Sequence, residues 1–179
     1  MWPPPRGVVS GRTAATVDDD SARRDVELEP QVLPDQVSPG VLARVQDSFD
    51  RQGLMRTLGA RITHIAPGRV HITLPRGEEV SQQHGYIHAG ATSAIADSAG
   101  GYAAFTLFPE GSTVLTVEYK INLLAPAGGD RIEAVGTVLK SGRTLTVCQL
   151  QVFGHEGDEK TLVATGQQTL ICLESRPDR

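Results

Sequence analysis

The segment 88–104, HAGATSAIADSAGGYAA, limits the possible folds more than any other part of the chain. Thirteen of its seventeen residues are Ala, Gly, Ser or Thr. Its length and alanine content favour a helix, although Gly100 and Gly101 each cost roughly 1 kcal/mol relative to alanine. We expect a helix with this composition where another backbone packs closely against it. The segment therefore predicts one long helix wrapped by a curved antiparallel sheet, an α+β architecture.

The residues before this segment predict a shorter helix and a β-hairpin. Ser38 suits an N-cap and Pro39 the first helical position. Apolar residues then recur at helical spacing until Gly53, which we expect to end or interrupt the helix. Two alternating runs, 60–66 and 69–75, flank a Pro-Gly turn signal and predict the hairpin.

Four more apolar runs follow the central segment and predict four strands. Short polar turns separate them, so we expect consecutive antiparallel neighbours. With the hairpin, the sheet would have about six strands. The four runs are 112–125, 130–140, 143–154 and 161–173.

The first 37 residues differ in composition from the rest. Five of the eleven prolines precede position 38, among acidic residues and scattered apolar ones. Such a segment buries too little apolar surface to offset its ordering entropy. Residues 1–37 are therefore predicted to be a disordered tail or a mis-assigned start, with one domain over 38–175. The start has no apolar core of a signal peptide and carries three consecutive aspartates, which favours the cytoplasm.

Composition argues against several classes of protein. A formal charge of −4 and a pI of about 5.7 disfavour nucleic-acid binding. No stretch approaches the length of apolar sequence that a transmembrane helix needs, so no membrane partner is expected. Cys148 and Cys172 fit neither a disulfide framework nor a redox pair, and we interpret them as ordinary thiols. No cofactor is implied.

Asp97 is the only charged residue between positions 80 and 109. A carboxylate in a helix of small uncharged residues is costly to bury unless water or hydrogen bonds reach it. Asp97 is therefore either a functional group or a residue on a solvent-exposed face. The sequence alone leaves both possibilities open.

The segment just upstream offers hydrogen-bond donors. The helix should begin near Ala89, and the N–H groups at a helix N-terminus suit a carbonyl oxygen that becomes negative during acyl transfer. A base further along the helix would complete an acyl-transfer site. The additional donors are His88, Gln82 and Gln83. The alternative is that His84 and His88 are loop histidines with their hydrogen bonds satisfied and that the glutamines are solvated polar residues.

The stretch from Gly85 to Asp97 resembles the His-Gly-Gly-(six residues)-Asp/Glu signature of hotdog-fold acyl-CoA thioesterases of the phenylacetic-acid-degradation (PaaI-like) type. The order of predicted elements is similar to that fold, and the likeness covers residues 41–173. The later stretches 123–127, 140–145 and 162–169 are also similar to the family. The resemblance implies a hydrolase that cleaves a small-to-medium or aromatic acyl-CoA to the free acid and CoA.

The resemblance also implies roles for individual residues. Asp97 would be the general base or the nucleophile. Gln82, with Gln83 as a one-residue alternative, would polarise the thioester carbonyl. The backbone N–H of Ala89 would donate to the thioester oxygen, at a position after His88 where the family has glycine.

Two residues on the strand after the helix complete this expected site. By resemblance, Thr116 would position the attacking water, although a β-branched residue there also suits strand packing. Glu118, two residues further on, would share the same strand face and offer a second carboxylate.

The turn at 140–145 is where the resemblance implies contacts to coenzyme A. Two cations, a hydroxyl and free N–H groups make a reasonable phosphate site on an acidic protein. The alternative is a solvated hairpin turn. Lys120 and Arg131 are weaker candidates. The six residues of the turn are Lys140, Ser141, Gly142, Arg143, Thr144 and Leu145.

The family's assembly is a further expectation. Hotdog proteins pair edge to edge as homodimers, and often pair again as homotetramers. By resemblance, the Gln82 and Asp97 that face one substrate would come from different subunits, so a monomer would be inactive.

Three other functions are conceivable for these residues. A metal site on His84 and His88, with Asp97 as third ligand, needs both histidines on one helical face, which Gly85 and the helix start disfavour, so no metal is expected. An enoyl-CoA hydratase would need a histidine shortly after Asp97, and none follows. A non-enzymatic acyl-CoA sensor remains the main alternative.

We expect the helix residues Ile95, Tyr102 and Phe105, with Leu54 and Met55, to line the pocket for the acyl group.

Overall fold

Residues 36–173 are described in the computed structural model, so residues 1–35 of the predicted tail and the end of the chain from 174 lie outside the described residues. The elements follow the predicted order of helix, hairpin, long helix and four strands. They are α1 (Pro39–Asp50), α2 (Gly53–Leu58), β1 (Arg61–Ala66), β2 (Arg69–Pro75), a short 3-10 helix (Glu78–Val80), α3 (Ala89–Phe105), β3 (Thr113–Leu123), β4 (Arg131–Ser141), β5 (Leu145–Glu156) and β6 (Glu159–Leu173).

Local signals set the ends of the first helices as predicted. The Ser38 hydroxyl accepts a hydrogen bond from the N–H of Val41, and Pro39 is the first helical residue. The helix buries Val45 and Phe49. The chain leaves the helix after Asp50, and Gly53 begins α2 after a short break.

The six strands form one antiparallel sheet in the order β1-β2-β4-β5-β6-β3. The expectation that β3 and β4 are neighbours is therefore wrong. β4 pairs with β2, whereas β3 lies at the opposite edge beside β6, so the segment 124–130 is a crossover and not a hairpin turn. Burial explains the difference: the inward-facing residues of β4 are fully buried, whereas most of β3 is exposed, as suits an edge strand.

The central helix packs against the sheet as closely as its small residues predict. A Cβ at Gly136 on β4 would collide with the carbonyl oxygen of Ala99. A Cβ at Gly100 would collide with the side-chain amide of Gln168 on β6. These two glycines let the helix and the sheet approach each other, which brings the middle of α3 within hydrogen-bonding distance of β3 and β6.

Candidate active site

Asp97 lies in the middle of α3, half-buried against β3 and β6 rather than on a free solvent face. Two neutral groups donate to the same carboxylate oxygen. The Thr116 hydroxyl lies 2.8 Å from Oδ1, and the Gln168 side-chain nitrogen lies 2.6 Å from it. Among the hydrogen bonds of the described residues, none is made to Oδ2. The structure thus brings Thr116, one of the predicted site residues, to Asp97.

Sequence reasoning assigned no role to Gln168. The signal for it was present, because β6 alternates, and its inward-facing residues next to position 168 are Gly166 and Leu170. A glutamine in that row must be buried, and a buried amide needs a polar partner. Gln168 is fully buried and points its nitrogen at Asp97.

Glu118 does not share the strand face of Thr116, so that expectation is wrong. Thr116 pairs with Leu170 and Glu118 pairs with Thr169, so Val117 is an extra residue in a β-bulge. Adjacent residues of β6 point to opposite faces of the sheet, and their partners do the same. Glu118 therefore lies on the outer face, where it accepts a hydrogen bond of 2.6 Å from the Thr169 hydroxyl.

Asp97 and Thr116 line a cavity of about 350 Å³. The Ser98 hydroxyl donates to Gln52 on the chain between α1 and α2, and Gln52 in turn donates to the Tyr102 hydroxyl at 3.0 Å. These contacts fix the helix face that carries Asp97 against α1. Arg51 and Leu115 also line this cavity.

The predicted carbonyl-polarising residues line a different cavity, of about 610 Å³. His88 is the N-cap of α3, and its Nδ1 accepts from the N–H of Gly90 at 2.8 Å. Ala89 is the first helical residue, so its φ is negative and alanine is compatible with the backbone there. The N–H groups of a first helical turn have no acceptor within the helix, which leaves that of Ala89 suited to a ligand oxygen.

Gln82 and Gln83 both line this second cavity. The Gln82 side-chain oxygen accepts from the N–H of His84, and its backbone N–H donates to the carbonyl of Tyr86 at 2.8 Å, so the loop holds it in place. Within one chain, therefore, Gln82, Gln83, His88 and Ala89 line one cavity, and Asp97 lines another.

The turn at 140–145 connects β4 and β5, and it includes the last two residues of β4 and the first residue of β5. The N–H of Gly142 donates to the carbonyl of Leu145, and the carbonyl of Thr144 accepts from Cys172 on β6, so the turn is tied to the sheet. Lys140 and Arg143 are exposed. Thr146 and Thr116 both pair with Leu170, from opposite sides of β6. Neighbouring strands are about 4.8 Å apart, so Thr146, which directly follows the turn, lies roughly 10 Å from Thr116.

The residues expected to line the acyl pocket are mostly part of the core. Ile95, Phe105 and Met55 are buried in the central hydrophobic cluster, whereas Leu54 is exposed. Tyr102 does line the cavity beside Asp97. Small alanines on either side of Ile95 let the helix sit deep in the sheet, so its larger residues fill the core.

The geometry required for the histidine metal site is not present. His88 caps α3 through its ring, while His84 precedes the helix, so the two do not share a helical face. Over residues 36–173 no group of three His, Cys, Asp or Glu side chains is placed to hold a metal ion. No helix among these residues is long and apolar enough to cross a membrane. Cys148 is buried, and burial raises the pKa of its thiol to about 12, which fits a packing role.

Comparison with known proteins agrees with this architecture. The family model of the thioesterase superfamily matches residues 84–161. A crystal structure of a thioesterase family protein from Silicibacter pomeroyi is 47% identical, covers 75% of this chain and 99% of its own, and superposes with a TM-score of 0.74. The PaaI protein of Escherichia coli has the same fold at 18% identity, with a TM-score of 0.70 over 80% of this chain and 100% of its own.

Curated relatives point the same way. A putative esterase of Halobacterium salinarum is 29% identical over 133 residues, which is 70% of this chain and 87% of the relative. The 1,4-dihydroxy-2-naphthoyl-CoA hydrolase of Escherichia coli is 27% identical over 100 residues, 56% of this chain and 74% of the relative. The six-stranded sheet around a small-residue helix is the hotdog fold. The chain belongs to the thioesterase superfamily, and the protein is a thioester hydrolase.

Proposed function

We propose that the protein hydrolyses a small-to-medium or aromatic acyl-CoA to the free acid and CoA, with Asp97 as general base or nucleophile. The observation that carries this proposal is the anchoring of one Asp97 oxygen by Thr116 and Gln168. A carboxylate held on one side presents its other oxygen in a fixed direction, as a base or nucleophile requires.

The second cavity supplies what the developing oxyanion needs. The Ala89 N–H would donate to the thioester oxygen, with Gln82 beside it and the His88 ring fixing the start of the helix. Water attacks the thioester carbon while Asp97 Oδ2 accepts its proton, with the Thr116 hydroxyl beside the carboxylate to orient the water. The oxyanion then collapses, the carbon–sulfur bond breaks, and the CoA sulfur leaves and takes up a proton.

Attack by Oδ2 itself on the thioester is the other route, and the same two anchors would serve it. Single turnover in the presence of hydroxylamine separates them. Hydroxylamine can attack a mixed anhydride at its Asp97 carbon, which converts the Asp97 side chain to a hydroxamate and releases the free acid, whereas a general base forms no bond to the acyl group and leaves Asp97 unmodified. A hydroxamate on Asp97, detected by mass spectrometry, would therefore identify the nucleophile.

A complete site needs two copies of the chain, since the two groups line separate cavities in one chain. The β3 strand offers the edge for such pairing: it ends the sheet and exposes Leu115, Val117 and Leu123. A homodimer joined there, or a homotetramer built from two of them, would bring Gln82 of one subunit to Asp97 of the other.

The turn at 140–145 is the candidate site for the CoA phosphates, since it carries the exposed cations Lys140 and Arg143 and meets Thr146, roughly 10 Å from Thr116 across β6. A protein that uses this turn should prefer an acyl-CoA to the matching acyl-pantetheine, which lacks the nucleotide. The cytoplasmic location expected from the sequence stays a prediction.

The first test is thiol release from acetyl-, hexanoyl- and phenylacetyl-CoA by the parent and by Asp97→Asn. Hydrolysis by the parent, reduced by roughly 10² or more in the variant, supports the thioesterase and identifies its acyl class. Binding of CoA esters without turnover by the parent would instead indicate an acyl-CoA sensor.

Mixing two inactive variants tests the shared site. Gln82→Ala and Asp97→Asn each leave every site of their own dimer defective. After subunit exchange, a mixed dimer has one site with both residues intact, so about a quarter of the parent activity should return if the dimers mix at random. A mixture that stays inactive although mass spectrometry detects mixed dimers would place both residues in one subunit's site.

A further inference from the structure

Gln168 is a buried polar residue whose side-chain nitrogen is hydrogen-bonded and whose side-chain oxygen is not. Its side-chain nitrogen donates to Asp97 Oδ1 at 2.6 Å, to the Asp97 carbonyl at 3.2 Å and to the Thr116 hydroxyl oxygen at 3.0 Å. Its side-chain oxygen, also buried, has no hydrogen-bond partner among the described residues. Reversing the amide would point its oxygen at a carboxylate and a carbonyl, so these acceptors fix which end is nitrogen.

Such an arrangement is unfavourable for folding alone. An unpaired buried oxygen destabilises the native state, and an apolar side chain of the same size would avoid that cost. Position 100 of the helix also has to be glycine, because a Cβ there would collide with the Gln168 oxygen and with the end of the Leu150 side chain. The sequence thus accepts two local costs, an orphaned carbonyl and a helical glycine, at one point beside Asp97. Local costs that coincide at a site are typical of function.

We infer that Gln168 is a positioning residue of the active site, one that fixes the orientation of the Asp97 carboxylate for thioester hydrolysis. It acts through Asp97, since its side chain is fully buried and cannot touch substrate. With Thr116 it forms a triangle of hydrogen bonds around Oδ1, which leaves Oδ2 as the reacting oxygen. This inference rests on the proposed function of Asp97.

The test is Gln168→Met, which keeps the volume and removes the amide. We expect kcat to fall 10- to 100-fold with KM changed less than about threefold, because the carboxylate loses its orientation while the substrate contacts remain. The melting temperature should stay the same or rise, since the unpaired oxygen is gone. A merely structural residue would show the reverse, lower stability with little change in kcat of the folded protein.

The chain offers a matched control at the next position. Gln167 lies on the same strand but faces outward and is exposed. Gln167→Met makes the same chemical change away from the site, so kcat, KM and melting temperature should all match the parent.

A second variant addresses the same contact from the helix. Gly100→Ala displaces the amide and should lower kcat in the parent, but much less in the Gln168→Ala background, where the new Cβ meets the flexible end of the Leu150 side chain but no amide. Equal losses in both backgrounds would contradict the inference.

The outcomes separate the two hypotheses. If Asp97→Asn is inactive while Gln168→Met keeps parental kcat, the inference is overturned and the proposed function stands. If Asp97→Asn is as active as the parent, the proposed function of Asp97 fails and the inference fails with it. Loss of kcat in both variants, with the Gln167→Met control unaffected, supports both.

Discussion

Two carboxylates, one on each face of the same sheet, are bound in opposite ways. Asp97, on the side of the central helix, receives its hydrogen bonds from a hydroxyl and an amide, both neutral and both on Oδ1. Glu133, on the outer face of β4, uses both oxygens and binds His71, His155 and Lys160. The first carboxylate has one oxygen with no hydrogen bond from the described residues, whereas the second uses both oxygens to join strands.

The group around Glu133 on the outer face (the outer cluster) consists of Glu133, His71, His155 and Lys160, with Arg69 bonded to His71. Its hydrogen bonds determine the protonation state of His71. Arg69 donates to Nε2 of His71, so that ring must donate to Glu133 from Nδ1 and is neutral. In agreement, burial lowers the pKa of His71, with Arg69 and His64 acting in the same direction and Glu133 opposing them. The cluster joins strands β2, β4, β5 and β6 across the outer face.

Burial opposes the charged form of Glu133, but hydrogen bonds from Lys160 and His71 outweigh it and lower the pKa of its carboxyl to about 2. The comparison teaches that a shifted pKa is not by itself a sign of catalysis. The carboxylate with the stronger set of partners is the structural one, and the carboxylate with the sparse set is the candidate for chemistry.

The largest expected effect is on activity and separates the two carboxylates directly. Asp97→Asn should lower kcat by roughly 10² or more with a melting temperature near that of the parent, because it removes a base or nucleophile and keeps the shape. Glu133→Gln, the same chemical change on the other face, should leave kcat at 25 °C and neutral pH unchanged. Steady-state hydrolysis of the best acyl-CoA and thermal melts of both variants decide this, and a large loss of kcat in Glu133→Gln would break the comparison.

A smaller effect on activity is expected from Thr116→Val, which keeps the branched shape and removes the hydroxyl. We expect kcat to fall about tenfold, since Asp97 retains only the amide anchor. Thr169→Val is the control on the neighbouring strand, because that hydroxyl binds Glu118 on the outer face. Equal rates for both variants would show that the hydroxyl bonded to Asp97 does not contribute.

The smallest effect is on stability and depends on pH. The folded-state pKa of Glu133 is about 2, below its ordinary value of 4.5. The stability that its charge supplies is therefore fully present above pH 4.5 and is lost as the pH falls toward 2. Glu133→Gln should reduce the free energy of unfolding by about 1–2 kcal/mol at pH 7, and the gap to the parent should narrow between pH 4.5 and pH 2.

Urea unfolding of parent and Glu133→Gln at pH 7, 5 and 3 measures this gap. Glu118→Gln serves as the reference, since that carboxylate is exposed and holds a single hydroxyl. A gap that stays constant down to pH 3 would mean that the charge of Glu133 contributes nothing, and the outer cluster would then be no more than a surface arrangement.

Local signals made much of the fold predictable. Ser38 and His88 cap the helices that follow them directly in sequence. The small-residue composition of the run 88–104 predicts that a sheet packs closely against it, as the structure shows. The placement of β3 at the far edge was not predictable in this way, because strand order depends on which faces pack together and not on the turn that follows.

The site residues also divide into those that the sequence indicates and those that depend on long-range contacts or strand irregularity. Asp97 stood out because it is the one charge in thirty residues, and Thr116 came from the family resemblance. Glu118 was misplaced because period-two alternation assumes a regular strand, and a bulge at Val117 interrupts it. The alternation of β6 indicates that Gln168 is buried, but its partner Asp97 lies 71 residues away, and the Glu133 cluster also joins residues far apart in sequence. Neither set of contacts therefore has a signature within a short window.

The bulge at Val117 also determines the charge of the site. If Val117 paired with Thr169, as in a regular strand, Glu118 would pair with Gln168 and face inward, on the side where Thr116 meets Asp97. Two carboxylates would then compete for the same small cavity and would have to share a proton, as paired acids do. The unpaired residue therefore keeps the site a single anion, although the sequence places a second carboxylate only two residues after Thr116.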